Sequence, residues 1–300
     1  MQGSRLPLVV RLVGIFTVAV LPVLTITPAT DGGTSARAVR NLAITFTCPH
    51  AICAVKPDGS GRAVFVTAWF DSFGDPSWTR DGTALAYFVG YSDTHKIHVF
   101  QVPTRSHEEF PLRGDARSFE PSWSPDGTRI AVTELWRSWD IGTEFARSTI
   151  KILSLDTGRK VAVTRPRLDR VDTEPAWSPD GGTMAFARRQ KGEPQTIWLI
   201  HPDGTGARQL TRGRSPSWSA AGDRLAFALG GSIYEVRADG SDRKRIRSGF
   251  RHPLVRWSPD GTKLLIASGR NAWVADADGR RWMRVLHEAY DVEGLAWRPS

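Results

Sequence analysis

The stretch EPSWSPDGTRIAV, Glu120–Val132, returns in altered form along the chain. DPSWTRDGTALAY stands at Asp75–Tyr87, EPAWSPDGGTMAF at Glu174–Phe186, SPSWSAAGDRLAF at Ser215–Phe227 and VRWSPDGTKLLI at Val255–Ile266. A half-copy, GLAWRPS, occupies Gly294–Ser300. The recurring tryptophans are Trp78, Trp123, Trp177, Trp218, Trp257 and Trp297, spaced by 45, 54, 41, 39 and 40 residues. A catalytic motif normally occurs once, whereas a unit that returns about every 40 residues builds architecture and fits a four-stranded propeller blade.

Each copy reads as such a blade. PSWS is a short first strand, and SPDG is a turn in which Pro presets φ, Asp bonds its own backbone and Gly supplies conformational freedom. TRIAVT is a second strand, apolar enough for burial between blades. A third strand ends in another turn, as in TIWLIHPDG (Thr196–Gly204) and SIYEVRADG (Ser232–Gly240), and a fourth follows, as in ARQLT (Ala207–Thr211). Asp81, Asp126, Asp180 and Asp260 occupy equivalent turns, and Asp223 is displaced because the fifth copy reads SAAGD. A turn role explains every copy, while equivalent turns lie too far apart around a ring to share one chemistry.

The N-terminal copy lacks its Trp strand: RNLAITF (Arg40–Phe46) matches a second strand, ICAVKPDG (Ile52–Gly59) a third and AVFVTA (Ala63–Ala68) a fourth. The C-terminus carries one Trp strand too many. The expected fold is therefore all-β: a six-bladed β-propeller of four-stranded blades, closed by the C-terminal strand completing the first blade.

Forty per cent hydrophobic residues suffice for a core, and 24% charged residues suit a soluble chain. The formal charge of +9 favours anionic partners. Arg5 and Arg11 precede an uncharged run, Leu12–Thr30, and TPA (Thr27–Ala29) and ARA (Ala36–Ala38) offer small residues for a signal peptidase. Residues 1–38 thus read as a signal peptide, or a membrane anchor, with a short linker, and residues 39–300 as the propeller. Cleavage after Ala38 leaves a charge of +7. The two cysteines, Cys48 and Cys53 in CPHAIC, read as a small disulfide in an exported protein, with zinc bound alongside His50 the lesser alternative.

Trp-Ser-Pro-Asp-Gly followed by Ile/Leu-Ala-Phe, then Ile-Tyr/Trp and a later Asp-Gly, resembles the propeller repeat of the TolB family over residues 40–300. The resemblance implies a six-bladed propeller in the cell envelope that binds other proteins. The separate α/β domain that precedes the propeller in TolB is not expected, because the first blade follows the signal directly. A Gly-x-Ser-x-Gly elbow of the kind found in prolyl oligopeptidase relatives is absent from the sequence.

Turns after first and third strands share one face, and connections after second and fourth strands share the other. The second face receives the longer loops Leu135–Ser148, Arg165–Thr173, Arg188–Gln195, Arg212–Ser215 and Ser248–Pro253. Its arginines and tryptophans are the residue types that anchor interfaces: Trp136, Arg137, Trp139, Arg165, Arg167, Arg170, Arg188, Arg189, Arg212, Arg214 and Arg251. Asp172 and Glu174 belong to the acids expected to offset this charge. The reading is an exported, periplasmic, cell-envelope or extracellular scaffold, monomeric and non-catalytic, that binds an envelope protein or anionic polymer. Nucleic acid, cofactor and metal are not expected, and a membrane only if the N-terminal segment stays uncleaved. The alternative is a propeller hydrolase, lyase or carbohydrate-binding protein with a pocket on the loop face, where His252 and His287 fall near Asp291 and Glu293.

Overall fold

The computed structural model describes residues 43–67, 72–90, 95–111, 117–137, 146–288, 291–292 and 294–299. The expected signal segment, Trp139 and Glu293 lie outside the described residues. Among those described, no helix is long and apolar enough to cross a membrane.

Six antiparallel four-stranded sheets form the ring. Blade two runs outward from the axis through Ser72–Trp78, Ala84–Gly90, His95–Gln101 and Ser106–Pro111. Blade three comprises Arg117–Trp123, Arg129–Arg137, Ala146–Ser154 and Lys160–Ala162, and blade four Arg170–Trp177, Met184–Gln190, Thr196–Ile200 and Arg208–Arg212. Blade five comprises Arg214–Trp218, Arg224–Leu229, Ser232–Arg237 and Lys244–Ser248, and blade six Leu254–Trp257, Lys263–Ser268, Asn271–Asp276 and Trp282–His287. Blade one draws on both ends of the chain. Ile44–Cys48, Ala51–Val55 and Ala63–Thr67 are joined at the axis by Leu295–Trp297, with Ile44 opposite Trp297 and Phe46 opposite Leu295.

The period-two burial of the strands leaves one apolar layer between each pair of blades, and each layer contains one recurring Trp. Trp123, for example, packs with Ala86, Ile97 and Val99 of blade two and with Ile130 and Val132 of blade three. Trp177 packs with Ala131, Ile150 and Ile152 of blade three and with Met184 and Phe186 of blade four. The indoles also fasten backward. Nε1 of Trp123, Trp218 and Trp297 donates to the backbone oxygens of Ser77, Ala176 and Arg256, each in the preceding blade, at 3.0, 3.1 and 3.2 Å. Trp78 Nε1 donates to the Thr45 hydroxyl at 3.0 Å. Trp177 and Trp257 use their backbone N–H instead, on the hydroxyls of Ser122 and Ser217.

The Asp residues of the WSPDG turns are architectural. Asp126 Oδ1 accepts from the Ser124 hydroxyl at 2.6 Å and from the Thr128 N–H at 3.0 Å, while Gly127 takes φ 71°. Hydroxyl donors, first among them Thr79, Ser178 and Ser258, hold the carboxyls of Asp81, Asp180 and Asp260 below the usual carboxylate range. In blade five Asp223 recovers the contact from its displaced position, accepting from the Ser219 hydroxyl at 2.9 Å.

Cys48 and Cys53 form the expected disulfide, across the first hairpin of blade one. The expected loop bounds change, since Arg170–Thr173 and Arg214–Ser215 also belong to strands. The insertion read as a loop from Leu135 to Ser148 begins and ends as strand, because pairing continues from Leu135–Ser148 out to Arg137–Ala146. Trp136 and Arg137 therefore stand on the paired strand Arg129–Arg137. The loop expected at Arg188–Gln195 likewise begins with strand residues, up to Gln190.

The joint is tight at Gly294. An added Cβ would lie 2.6 Å from Thr47 Oγ1 and 2.7 Å from the Asp75 nitrogen. Gly294→Ala should therefore lower the unfolding midpoint well beyond the roughly 1 kcal/mol typical of a point mutant, because backbone and not only a side chain must move. Trp123→Ala should cost about 3–5 kcal/mol in denaturant titration, whereas a loss below about 1 kcal/mol would mean the interblade layer does not depend on the indole.

Candidate functional site

The innermost strands are not regular. In blades two to five a proline stands two residues before the Trp: Pro76, Pro121, Pro175 and Pro216. Proline has no N–H for the ladder and restricts the residue before it, so each strand slips register at that point. The shifts fall between Gly74 and Ser77, Phe119 and Ser122, Thr173 and Ala176, and Arg214 and Ser217. The residue preceding each proline adopts positive φ: 52° at Asp75, 59° at Glu120, 55° at Glu174 and 53° at Ser215. Blade six, with Leu254-Val255 at these positions, pairs without a shift.

The bulges place a polar side chain from each of these four blades beside the next blade. Asp75 Oδ2 accepts the backbone N–H of Glu120 at 3.3 Å, and Glu120 Oε2 accepts that of Glu174. Glu174 Oε2 accepts that of Ser215, and Ser215 Oγ accepts that of Val255 at 3.4 Å. The relay thus runs in one direction from blade two to blade six. Arg256 Nη1 donates to Ser215 Oγ at 3.0 Å. Arg214 lies 3.7 Å from Glu174 Oε1 and donates to the Pro253 carbonyl.

Asp75, Glu120, Glu174 and Arg256 line an axial cavity of about 290 Å³ that reaches the short-turn face. Its rim takes one residue per blade: Arg80, Pro125, Pro179, Ala220, Pro259 and Pro299. Arg80 crosses that mouth and donates to the Pro179 carbonyl at 3.3 Å. The cavity therefore has a guanidinium at its rim and three carboxyls deeper down.

Glu120 is the chemically unusual member. Burial, then the neighbouring Glu174 and Asp75 carboxylates, push its carboxyl up to about 8. It is thus largely protonated at neutral pH and able to donate from the axis. Among the described residues no group of three or more His, Cys, Asp or Glu side chains is arranged to hold a metal ion.

On the loop face the expected arginines divide. Arg188 is bound to buried Asp172 by two hydrogen bonds, at 2.6 and 2.9 Å, and lies 4.4 Å over Trp198. Arg170 donates to the Arg165 carbonyl, and Arg214 turns toward Glu174. Arg165, Arg167, Arg189, Arg212 and Arg251 are exposed. The acids expected to offset this face are partly elsewhere: Asp172 is buried and Glu174 belongs to the axis. His252, His287 and Asp291 are exposed and do not line the axial cavity, and His287 Nδ1 pairs with Asn271 Oδ1 at 2.8 Å. The sequence reading missed Asp75, Glu120, Ser215, Arg256 and Arg80 as site residues. The Pro two residues before four of the tryptophans was the available signal.

Glu120 makes stability depend on pH. The unfolded chain releases this proton near the ordinary glutamate value, while the folded ring retains it up to about 8. The Glu120 contribution is therefore fully present at low pH, declines as pH rises, and is lost above about 8. Glu120→Gln keeps an acceptor for the Glu174 N–H. Its melting temperature relative to wild type should rise between about pH 5 and pH 8 and then level, by about 2–4 °C for each kcal/mol. A difference independent of pH would show that Glu120 titrates normally.

The family described as the TolB beta propeller domain matches residues 49–300. A Protein TolB homolog of Chlorobium luteolum is 34% identical over 38% of this chain and 24% of its own length. An uncharacterized peptidase, YuxL, of Bacillus subtilis is 25% identical over 60% of this chain and 21% of its own length. The chain thus spans about a quarter or less of these curated relatives. The crystal structure of TolB from Acinetobacter baumannii superposes with a TM-score of 0.71 at 19% identity, over 86% of this chain and 66% of that one, a likeness of fold. Repeat, ring and family match agree: this chain belongs to the TolB beta-propeller family.

Proposed function

We propose that the chain is an exported, non-catalytic propeller of the cell envelope that holds an acidic protein or anionic polymer on its loop face. One observation carries the reading: Arg165, Arg167, Arg189, Arg212 and Arg251 are exposed where the second-to-third and fourth-to-first strand connections meet. Register supports the grouping, since Val171 pairs with Arg189 and Thr196 with Arg212 at one end of blade four. Leu168, 68% exposed, stands next to Arg167 and offers an apolar contact inside the cationic loop. Arginine beside an accessible apolar side chain is the composition of an interface anchor.

Export is supported by the uncharged run Leu12–Thr30 and by the disulfide, which persists in oxidising compartments. The similarity to TolB homologues supports an envelope setting and an interaction role.

A second reading is supported by the protonated Glu120 in the axial cavity: a propeller enzyme or carbohydrate-binding protein acting there and not on the loop face. The peptidase named among the relatives matches this chain over only 21% of its length, so its activity is not carried over.

The test is capture from an envelope extract by the chain immobilised at low salt, with salt elution and mass spectrometry. Combined Arg165→Ala, Arg167→Ala and Arg189→Ala should remove the salt-released partner and leave the melting temperature within about 2 °C. Arg170, Arg188 and Arg214 are unsuitable for this test because each is tied into the fold. Unchanged capture by the triple variant overturns the loop-face reading, and stabilisation of the chain by an oligosaccharide, abolished in Glu120→Gln, favours the axial one.

A further inference from the structure

The positive charge of the ring is concentrated in two blades. Residues 214–288 carry 14 Lys and Arg against 8 Asp and Glu, a net +6, whereas residues 39–213 carry 22 against 20, a net +2. Much of this excess stands on the outermost strands, Lys244–Ser248 of blade five and Trp282–His287 of blade six, and on the turn before the latter. Lys244, Arg245, Arg247, Arg280, Arg281 and Arg284 are all exposed, with Lys244, Arg280 and Arg281 paired to Glu235, Asp278 and Asp276.

The two edges form one surface. Ile246 of blade five and Trp282 of blade six pack onto the same apolar layer, and an added Cβ at Gly279 would meet Ile246 Cγ2 at 2.4 Å. Two guanidiniums are held in place by stacking: Arg247 lies 4.5 Å over Trp282 and Arg243 lies 4.8 Å over Tyr234. Stacked guanidiniums lose less side-chain freedom when they meet an anion. Met283, 43% exposed, lies on the same edge beside Arg284.

Blade six packs against blade one through Leu265, Val274 and Val285 on one side and Ile44 and Phe46 on the other. Residues 1–42, with the uncharged run Leu12–Thr30, join the ring at this neighbouring blade.

We propose that the outer edge of blades five and six docks on an anionic phospholipid surface. An edge with exposed cations on two adjacent blades suits headgroups that supply negative charge at every position. A lipid boundary also accepts the exposed Met283 side chain. Cations near such a surface each strengthen binding about fivefold at low salt, and the effect falls within a Debye length. This surface uses different residues from the loop face and does not depend on that assignment.

The experiment is co-sedimentation of the full chain with vesicles of phosphatidylcholine alone and with about one third phosphatidylglycerol, at low and high salt. Any contribution from the apolar N-terminal run is common to all samples, so the readout is the increment due to phosphatidylglycerol. The wild type should bind the anionic vesicles more tightly at low salt and lose that increment at high salt. Combined Arg245→Ala and Arg284→Ala should reduce the increment about 25-fold at low salt. The control pair Arg165→Ala and Arg167→Ala, which removes the same charge from the loop face, should leave it unchanged. An equal loss in both pairs reduces the effect to net charge and overturns the proposal. So does binding indifferent to phosphatidylglycerol, or capture of soluble polyglutamate with no vesicle increment.

Discussion

Each blade of this ring is held to its predecessor by groups on its innermost strand, and the rest of the structure depends on that fastening. Along the axis, the N–H of Glu120, Glu174, Ser215 and Val255 each finds its acceptor one blade back. Just outside, indole or backbone N–H groups of the recurring tryptophans do the same. A four-stranded sheet with one apolar side is unstable alone, so neighbouring blades must be held in register for the apolar layers to exclude water. Directional bonds near the axis fix that register, and the aliphatic layers between blades supply the larger, non-directional share of the stabilisation.

The same fastening shapes the chemistry of the axis. A carboxyl that accepts a neighbouring strand's N–H must sit close to the axis, where the other carboxyls also converge. Buried beside the Glu174 and Asp75 carboxylates, Glu120 holds its proton well above the usual carboxylate range. Arg256 and Arg214 temper the repulsion from the side of blades five and six, where Ser215 replaces a carboxyl. The electrostatic character of the cavity is thus a by-product of how the blades are joined.

The architecture was legible because it depends on features that repeat. The Trp spacing gave the number of blades, the PDG turns gave the strand ends, and the missing first Trp strand with the surplus last one gave the closure. The axial site was not legible for a geometric reason. In a regular strand the residue three before Trp has a fixed direction, but the bulge at Pro76, Pro121, Pro175 and Pro216 turns it, and only the unpaired proline hinted at this. The loop face was legible in composition but not in detail. Arg188 looks like its neighbour Arg189 in sequence, yet pairing across the blade brings it opposite Asp172 and removes it from the surface.

Blade one is shared between the two ends of the chain: Thr45 pairs with Ala296, 251 residues away. During synthesis the N-terminal three strands emerge first and have no inner neighbour until Leu295–Trp297 arrives. Throughout that interval the inner edge of Ile44–Cys48 presents free backbone groups beside Ile44 and Phe46, side chains fully buried in the finished ring. Blades two to five can form from local hairpins as they appear, but the last apolar layer, between blades six and one, closes only when Leu295–Trp297 joins blade one. Folding is therefore governed by a single long-range encounter. The window in which the protein is open to unwanted strand pairing lasts until Leu295–Trp297 takes its place in blade one.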